Sequence, residues 1–317
     1  MPKHKQQVWC AILNPCAGTK RLKKDLAFIE KSLHEMQLTV EMYTTLYKGH
    51  ACEIAKQLVE KGKKNILIFG GDGTLNEVVN GIFHSKVSEK SSICLALVPY
   101  GTGNDWARFW KLKNSRKSIK KLLGVLHNGE KHLIDVGCVK TISKTENTYY
   151  FLNALGAGFD ALVVKYASWI KNHFFGGAWV YSFAVFLAVL KYRSYKMNIK
   201  CDQKDLFVEE PIYTMSVGNG CFTGGGLKQT PDAIPTDGFF HATIVKQLSF
   251  LHIVRAAKYL FAGKLLSHPC VFSNKLQQFT CSSEKKIELE ADGVQLPACV
   301  DFEVSIIPAS LTFVTLK

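Results

Sequence analysis

The stretch Ile66-Leu67-Ile68-Phe69-Gly70-Gly71-Asp72-Gly73-Thr74-Leu75-Asn76-Glu77 constrains this chain more than any other. Four apolar, β-favouring residues run straight into a glycine-rich turn, and a helix pattern begins at once behind it. Leu75, Val78, Val79 and Ile82 recur at the i, i+3, i+4, i+7 spacing of an amphipathic helix. Thr74, followed three residues later by Glu77, predicts a capping box at the helix start. Three glycines in four positions let the backbone take positive φ and leave its N–H groups open to a ligand. A strand, a glycine turn and a helix N-terminus hold phosphate well, because free amides and the positive dipole end face the turn. Asp72 is out of place in a bare phosphate loop. It suits a metal ion or a substrate hydroxyl instead.

The same rhythm runs through the first third of the chain. Val8 to Leu13 is a continuous apolar run, as expected of a strand buried on both faces, and it ends in the loop Asn14-Pro15-Cys16-Ala17-Gly18-Thr19-Lys20. A helix follows with Leu26, Ile29, Leu33 and Met36 on its inner face. Its first turn is basic, the wrong sign for the helix dipole, and Lys20 is the one candidate there for contacting phosphate. Thr39 to Thr44 predicts a second strand, and Gly49-His50-Ala51 opens a helix with Ala51, Ile54, Ala55 and Leu58 inward. Ile93 to Val98 is another apolar strand, ending in Pro99-Tyr100-Gly101-Thr102-Gly103-Asn104-Asp105. Alternating strands and helices imply a parallel sheet, whose ligands bind beyond the carboxyl ends of the strands. The loops 14–20, 70–74 and 101–105 should therefore converge.

Past residue 130 the pattern changes to many short or period-2 strands: 132–139, 148–152, 196–201, 212–217, 239–245, 277–281, 286–289, 302–307 and 311–316. Such spacing predicts an antiparallel sandwich or barrel. Helices over 160–172, 178–193 and 250–264 interrupt it, and their apolar faces either line a lipid-sized pocket or pack on the sheet. The expected fold class is α/β plus mainly β. A parallel α/β nucleotide-binding domain spans 1–131, and an antiparallel β-sandwich domain with a few helices spans 132–317. The last strand is a candidate to return to the first domain.

A chain of 317 residues with a net charge of +14 favours an anionic partner. The basic residues Lys111, Lys113, Arg116, Lys117, Lys120 and Lys121 lack interleaved aromatics and read as a solvated helix face rather than a nucleic-acid surface. Ten cysteines without a C-x-x-C pair suit a reduced, cytoplasmic protein, and Met1 to Lys5 leads into no apolar signal region. The longest apolar run, Ala178 to Leu190, falls short of the ~20 residues that span a bilayer. No G-x-x-x-x-G-K-[ST] or G-x-G-x-x-G sequence follows a strand, and no His/Cys grouping has zinc-ligand spacing. His50, beside the loops, is the histidine most worth locating.

Asn14-Pro15…Gly18, Gly70 to Glu77 and Pro99 to Arg108 together resemble the diacylglycerol kinase catalytic domain, which sphingosine kinases, ceramide kinases and soluble bacterial lipid kinases share. Gly218-Asn219-Gly220, Gly224-Gly225-Gly226, Pro231-Asp232-Ala233 and Thr236-Asp237-Gly238 resemble the second-domain motifs of the same family. The resemblance implies transfer of the γ-phosphoryl group of ATP to a lipid hydroxyl with Mg²⁺, in a cleft between the two domains. Carried over residue by residue, it implies nucleotide contacts at Asn14, Thr45, Gly70, Gly71, Asp72, Gly73, Thr74, Leu75, Asn76, Gly101 and Thr102. Asp72 and Asp105 would organise the catalytic Mg²⁺. A second, structural Mg²⁺ would sit on the Asp237 side chain and the carbonyls of Ile234 and Phe239. An anionic membrane surface and a second copy of the chain are further candidate partners.

The chain departs from the family at one position. The family's D-G-E motif supplies a glutamate as general base, and the matching segment here is Asp292-Gly293-Val294. Valine accepts no proton, and a general base contributes ~10²–10⁴-fold to rate. Asp72, Asp292 and Glu290 are the candidate substitutes. The alternatives are a nucleotide- or lipid-binding homologue with little turnover and, on the GGDGT turn alone, an enzyme of the NAD kinase type.

Overall fold

The computed structural model describes residues 8–18, 21–142, 146–173, 179–201, 204–247 and 250–316. The chain divides into two compact units, one made of Met1–Val136 with Pro308–Lys317 and the other of Gly137–Ile307.

In the first unit the elements run β1 (Trp9–Leu13), α1 (Arg21–Glu35), β2 (Val40–Thr44), α2 (His50–Glu60), β3 (Asn65–Gly70), α3 (Asp72–Phe83), β4 (Cys94–Pro99), α4 (Asp105–Phe109) and α5 (Arg116–Gly124). The four strands are parallel in the order β2-β1-β3-β4. β1 and β4 are buried throughout, as continuous apolar runs require when helices cover both faces. β2 is the edge and is only partly covered. The chain leaves β1 toward β2 and returns to β3 on the other side of β1. The loops after β1 and β3 therefore flank a crevice at the topological switch point.

The buried face of α1 differs from the expected stripe. It consists of Leu22, Asp25, Ile29, Ser32 and Leu33, while Leu26 and Met36 are only half-buried. Asp25 can sit inside because Arg21 Nε (3.2 Å), Arg116 Nε (3.0 Å) and the Tyr100 hydroxyl (3.2 Å) all donate to its carboxylate. Part of the basic face around α5 is thus paired rather than solvated, since Lys120 also meets Glu35 at 2.8 Å. Lys20 lies outside the described residues.

Two strands, β5 (Glu130–Ile142) and β13 (Val294–Thr315), carry the chain from one unit into the other. The end of β13 pairs parallel with β4, Thr312 beside Cys94 and Phe313 beside Leu95. Phe313 is fully buried there, its ring 5.7 Å from Trp106 and 5.6 Å from Trp110.

The second unit contains β6 (Asn147–Phe151), β7 (Ala154–Gly158), α6 (Phe159–His173), α7 (Trp179–Lys191), β8 (Tyr195–Cys201), β9 (Lys204–Gly218), β10 (Phe240–Lys246), α8 (Phe250–Phe261), β11 (Val271–Leu276) and β12 (Gln278–Ala291). Its strands are antiparallel in the order β11-β10-β9-β7-β12-β13. β8 also joins β9 to β12, at the opposite ends of those strands from β7. A long strand that changes partner along its length is how a sandwich turns its corner. Met197, Met215, Val217, Phe240, Leu289 and Phe302 belong to the core beneath. The runs expected at 277–281 and 286–289 are one strand, as are 302–307 and 311–316. β7 was not expected: its Ala-Leu-Gly-Ala-Gly sequence has weak β propensity and is held by strands on both sides.

Phe313→Ala should lower unfolding stability by about 3–5 kcal/mol, the usual cost of emptying a buried aromatic site. Denaturant unfolding of the full chain measures this. A loss below about 1 kcal/mol would show that the terminal strand does not anchor the first unit.

Candidate active site

The three loops predicted to converge do so in the first unit. The Asn14 amide donates to Phe69 O (3.0 Å), and the Tyr100 amide donates to Gly70 O (2.7 Å). A β-carbon on Gly71 would stand 2.6 Å from the Gly101 Cα, and one on Gly101 would stand 2.6 Å from the Gly71 Cα. The two backbones are in contact, so only glycine serves at either position. Gly18, at φ +56°, closes the third side against the Tyr100 carbonyl.

α3 starts at Asp72, one turn earlier than a capping box at Thr74 requires. Its N-cap is Gly71, and no side chain caps it. Thr74 is instead a buried helical residue whose hydroxyl accepts a hydrogen bond from Asn14 Nδ2 (2.9 Å). Glu77 reaches across to the start of α2, accepting from the amides of Gly49 (2.9 Å) and Ala51 (3.2 Å). The capping chemistry is present but serves a neighbouring helix. Without a side-chain cap, the first-turn amides of α3 stay available to an anion, and the first intrahelical bond is Leu75 N to Gly71 O.

Asp72 turns its carboxylate inward, toward the next loop. Its Oδ2 accepts from the Asp105 amide (3.0 Å) and its Oδ1 from the Trp106 amide (3.2 Å), so it caps α4. Burial pushes its carboxyl above the usual range, while these amides pull it back down. Asp105 is buried at the start of the same short helix, 3.9 Å from Arg108 Nε. Asn104, held at φ +51°, donates from Nδ2 to Gly101 O (2.7 Å). Its Oδ1 is buried with no donor among the described residues and would lie 2.7 Å from a β-carbon on Gly101.

Two carboxylates and an unmatched amide oxygen make this edge of the cradle rich in acceptors. Such a set repels bare phosphate and fits a divalent cation that carries phosphate with it. Magnesium is commonly held by one or two carboxylates plus substrate oxygens, so Asp72 and Asp105 fit that ion.

The remaining predicted nucleotide contacts separate by exposure. Thr102 is exposed on the loop after β4, and Thr45 is buried behind β2 with its amide bonded to Leu13 O (2.9 Å). Leu75 is core, so only its backbone can face a ligand, and Asn76 is buried against Asn80. His50 accepts the Leu46 amide on Nδ1 (3.1 Å) and stacks on Tyr47 at 4.5 Å. It orders the loop before α2. The Asp25 cluster escaped sequence reasoning, yet it ties α1 and α5 to Tyr100 at the root of the third loop. Burial and then the Asp25 carboxylate push the Tyr100 phenol up.

In the second unit, Asp237 Oδ1 accepts the Phe239 amide (3.0 Å), and its Oδ2 pairs with Lys275 Nζ (3.0 Å). That ammonium lies 4.4 Å from the centroid of the Phe239 ring, and the Ile234 carbonyl faces the Asp237 amide (3.4 Å). As placed, these groups do not fit a magnesium ion. The one carboxylate already holds a cation.

Val294 pairs with Ala291 across a two-residue hairpin turn formed by Asp292 (φ +50°) and Gly293 (φ +77°), the type I′ pattern. Asp292 is committed to backbone: its carboxylate accepts from the amides of Leu152 (2.8 Å), Asn153 (2.8 Å) and Ala154 (3.1 Å). Glu290 is buried and accepts the Gly293 amide (2.7 Å). Burial pushes its carboxyl up to about 8, with the Gly293 amide opposing and the Asp160 and Asp292 charges adding to the rise. Burial likewise raises Asp160, which Ser216 (2.8 Å) and Gln229 (3.2 Å) bond.

Comparison with known proteins places this geometry. Residues 8–139 match the family model described as the diacylglycerol kinase catalytic domain. Residues 153–315, over half of the chain, match the YegS C-terminal NAD kinase beta sandwich-like domain. The chain belongs to the diacylglycerol kinase catalytic-domain family, in the form that carries this second domain. A diacylglycerol kinase of Bacillus subtilis is 28% identical over 89% of this chain and 88% of its own length. One from Staphylococcus carnosus is 27% identical over 90% and 89%. The crystal structure of a Bacillus anthracis diacylglycerol kinase shares the fold, with a TM-score of 0.69 at 21% identity over 99% of this chain and 98% of that one.

The raised Glu290 carboxyl has a signed consequence. A group whose folded value exceeds its unfolded value stabilises fully at low pH, and that stabilisation is lost as pH rises through the folded value. Between about 4.5 and about 8 the chain should lose stability on the order of a few kcal/mol from this site. Thermal melts across that window should slope downward in the wild type and flatten in Glu290→Gln. Equal slopes would remove Glu290 as the cause.

Chelation tests the Asp237 site. Removing divalent ions should leave the wild-type melting temperature unchanged, whereas Lys275→Met should make it rise with added Mg²⁺. A wild-type melt that drops on chelation, with the drop abolished in Asp237→Asn, would mean that this carboxylate holds metal.

Proposed function

We propose that this chain is an ATP- and Mg²⁺-dependent lipid kinase whose acceptor is the hydroxyl of a diacylglycerol-like or sphingoid lipid. The observation that carries this reading is the backbone contact of Gly71 with Gly101 beside the uncapped first turn of α3. It leaves a strand-end cradle of amides available to a phosphate chain, with two carboxylates at its edge. The amides of α3 would bind the phosphates, and Thr102 and Thr45 would border the nucleotide. Asp72 and Asp105 would hold Mg²⁺, which when bound neutralises charge on the phosphates. Because the Asp72 carboxylate bonds the Asp105 and Trp106 amides, the start of α4 is fixed against the start of α3. In the transfer itself the lipid hydroxyl oxygen bonds to the γ-phosphorus, and its proton passes to water or to an oxygen of the transferred phosphoryl group. The bond to the β–γ bridging oxygen breaks, and ADP leaves. Such transfer relies mainly on positioning and charge stabilisation, so turnover survives a weak base at reduced rate.

A second reading is nucleotide or lipid binding with little turnover. Val294 favours it, as does Asp292, whose carboxylate is already bonded to three amides. One experiment separates the two. Incubation with γ-labelled ATP and a panel of diacylglycerol, sphingosine and ceramide should label a lipid. Asp105→Asn should lower that rate by at least about 10²-fold, in line with the loss of a charge-stabilising group. Val294→Glu should raise it. Nucleotide binding without label in any lipid would favour the second reading and exclude the first.

A further inference from the structure

Tyr100 stands where the three loops of the first unit meet. Its amide donates to Gly70 O (2.7 Å), at the end of β3. Its carbonyl lies against Gly18, where any β-carbon would overlap it. The next residue, Gly101, is the one whose backbone touches Gly71. Residues 100 and 101 are thus in contact with both neighbouring loops. The Tyr100 side chain is buried and points the other way, its hydroxyl donating to Asp25 Oδ2 on α1 (3.2 Å).

Asp25 is only 2% exposed and sits on the buried face of its helix, where packing alone calls for an apolar residue. Arg21 Nε reaches its Oδ2 (3.2 Å) and Arg116 Nε its Oδ1 (3.0 Å), so two guanidinium groups offset the cost of burying the charge. Both arginines are themselves held. Arg21 Nη1 donates to Asn114 O (3.1 Å), and the Arg116 guanidinium lies 5.2 Å from the centroid of the Phe28 ring. Apolar side chains would join α1 to α5 equally well. They would not fix a phenol hydroxyl that arrives from 75 residues further along the chain.

We propose that Asp25 is a positioning residue for the nucleotide cradle, holding the loop after β4 in its binding geometry, through the Tyr100 hydroxyl, before any nucleotide arrives. This role rests on the nucleotide reading of the three loops and names the group that pre-forms them. A site that is competent only part of the time binds its ligand more weakly by that fraction. Freeing the phenol therefore raises the nucleotide dissociation constant. Bound phosphates draw the loop back, so the rate at saturating nucleotide changes little. A residue needed only for folding would lower stability and leave the affinity of the folded protein unchanged.

Titration calorimetry of the full chain with ADP and Mg²⁺ tests this. Tyr100→Phe removes the hydroxyl and keeps the buried ring. It should raise the ADP dissociation constant about tenfold, as when the competent population falls to about a tenth. Asp25→Asn should raise it by as much or more, and the double variant should do no worse than Asp25→Asn, because the two residues act through one bond. If Asp25→Asn fails to fold, Tyr100→Phe decides alone. Lipid phosphorylation by Tyr100→Phe at saturating ATP should stay within about twofold of the wild type, so that KM moves and kcat does not. Glu35→Gln with Lys120→Met loosens the same two helices away from Tyr100 and should bind ADP as the wild type does. Unshifted ADP binding in Tyr100→Phe, effects of the two variants that multiply, or an equal loss in the Glu35 and Lys120 variant overturns the proposal. A wild type that binds no ADP overturns the nucleotide reading and this role with it. The expected shifts in ADP binding without label in any lipid would sustain the role of Asp25 and count against the kinase.

Discussion

Gly71 and Gly101 meet backbone to backbone, and the arrangement of the first unit depends on that contact. Any side chain at either position would part the loops after β3 and β4. With them would go the hydrogen bond from the Tyr100 amide to Gly70 and the reach of Asp72 to the amides of Asp105 and Trp106. The parallel sheet brings the strand ends to one edge, but it does not determine how closely the loops approach. The paired glycines do, and they leave the first turn of α3 facing the opening.

Carboxylates anchor loops repeatedly in this chain. Asp72 caps α4, Glu77 caps α2, Asp292 gathers the amides of residues 152–154, and Asp25 collects two arginines and a tyrosine. Each converts a buried charge into a local constraint, because an ionised oxygen bonded to amides or guanidinium is far less costly than a bare one. This use also limits chemistry. Asp292 has little capacity left to take a proton from a substrate, and Glu290, raised to about 8, is largely protonated at neutral pH. Where the family resemblance implies a glutamate in place of Val294, these two hairpin neighbours are poorly disposed to stand in for it. Asp72 differs, because desolvation works against its charge and a cation would relieve that penalty.

Charge in the second unit is arranged at two scales. At Asp237 a single ammonium, Lys275, sits between a carboxylate and an aromatic ring, where the family resemblance implied a divalent ion. Across the helices α7 carries exposed Phe183, Phe186 and Leu190, while Lys165 and Lys196 nearby in the chain are paired with Glu288 and Glu209. The first arrangement closes a loop on itself.

The parallel sheet of the first unit, the antiparallel character of the second and the convergence of the three loops were legible in the sequence. Apolar runs of strand length, helical spacing and glycine turns are local patterns, and local sterics enforce them. β7 was not legible, because a strand of alanine and glycine is recognised only by the strands that flank it. Nor were the partners of Glu77 and Asp25, although both residue types were in view. Glu77 lies three residues past Thr74 and matches a capping box. The helix starts at Asp72, however, and the carboxylate finds amides 26 and 28 residues away in the chain. By itself the sequence determined most of the strands and helices and which three loops converge. Tertiary structure alone decided which helix each carboxylate caps, because a side chain bonds the nearest unmet donor in space, and periodicity along the chain does not reveal that distance.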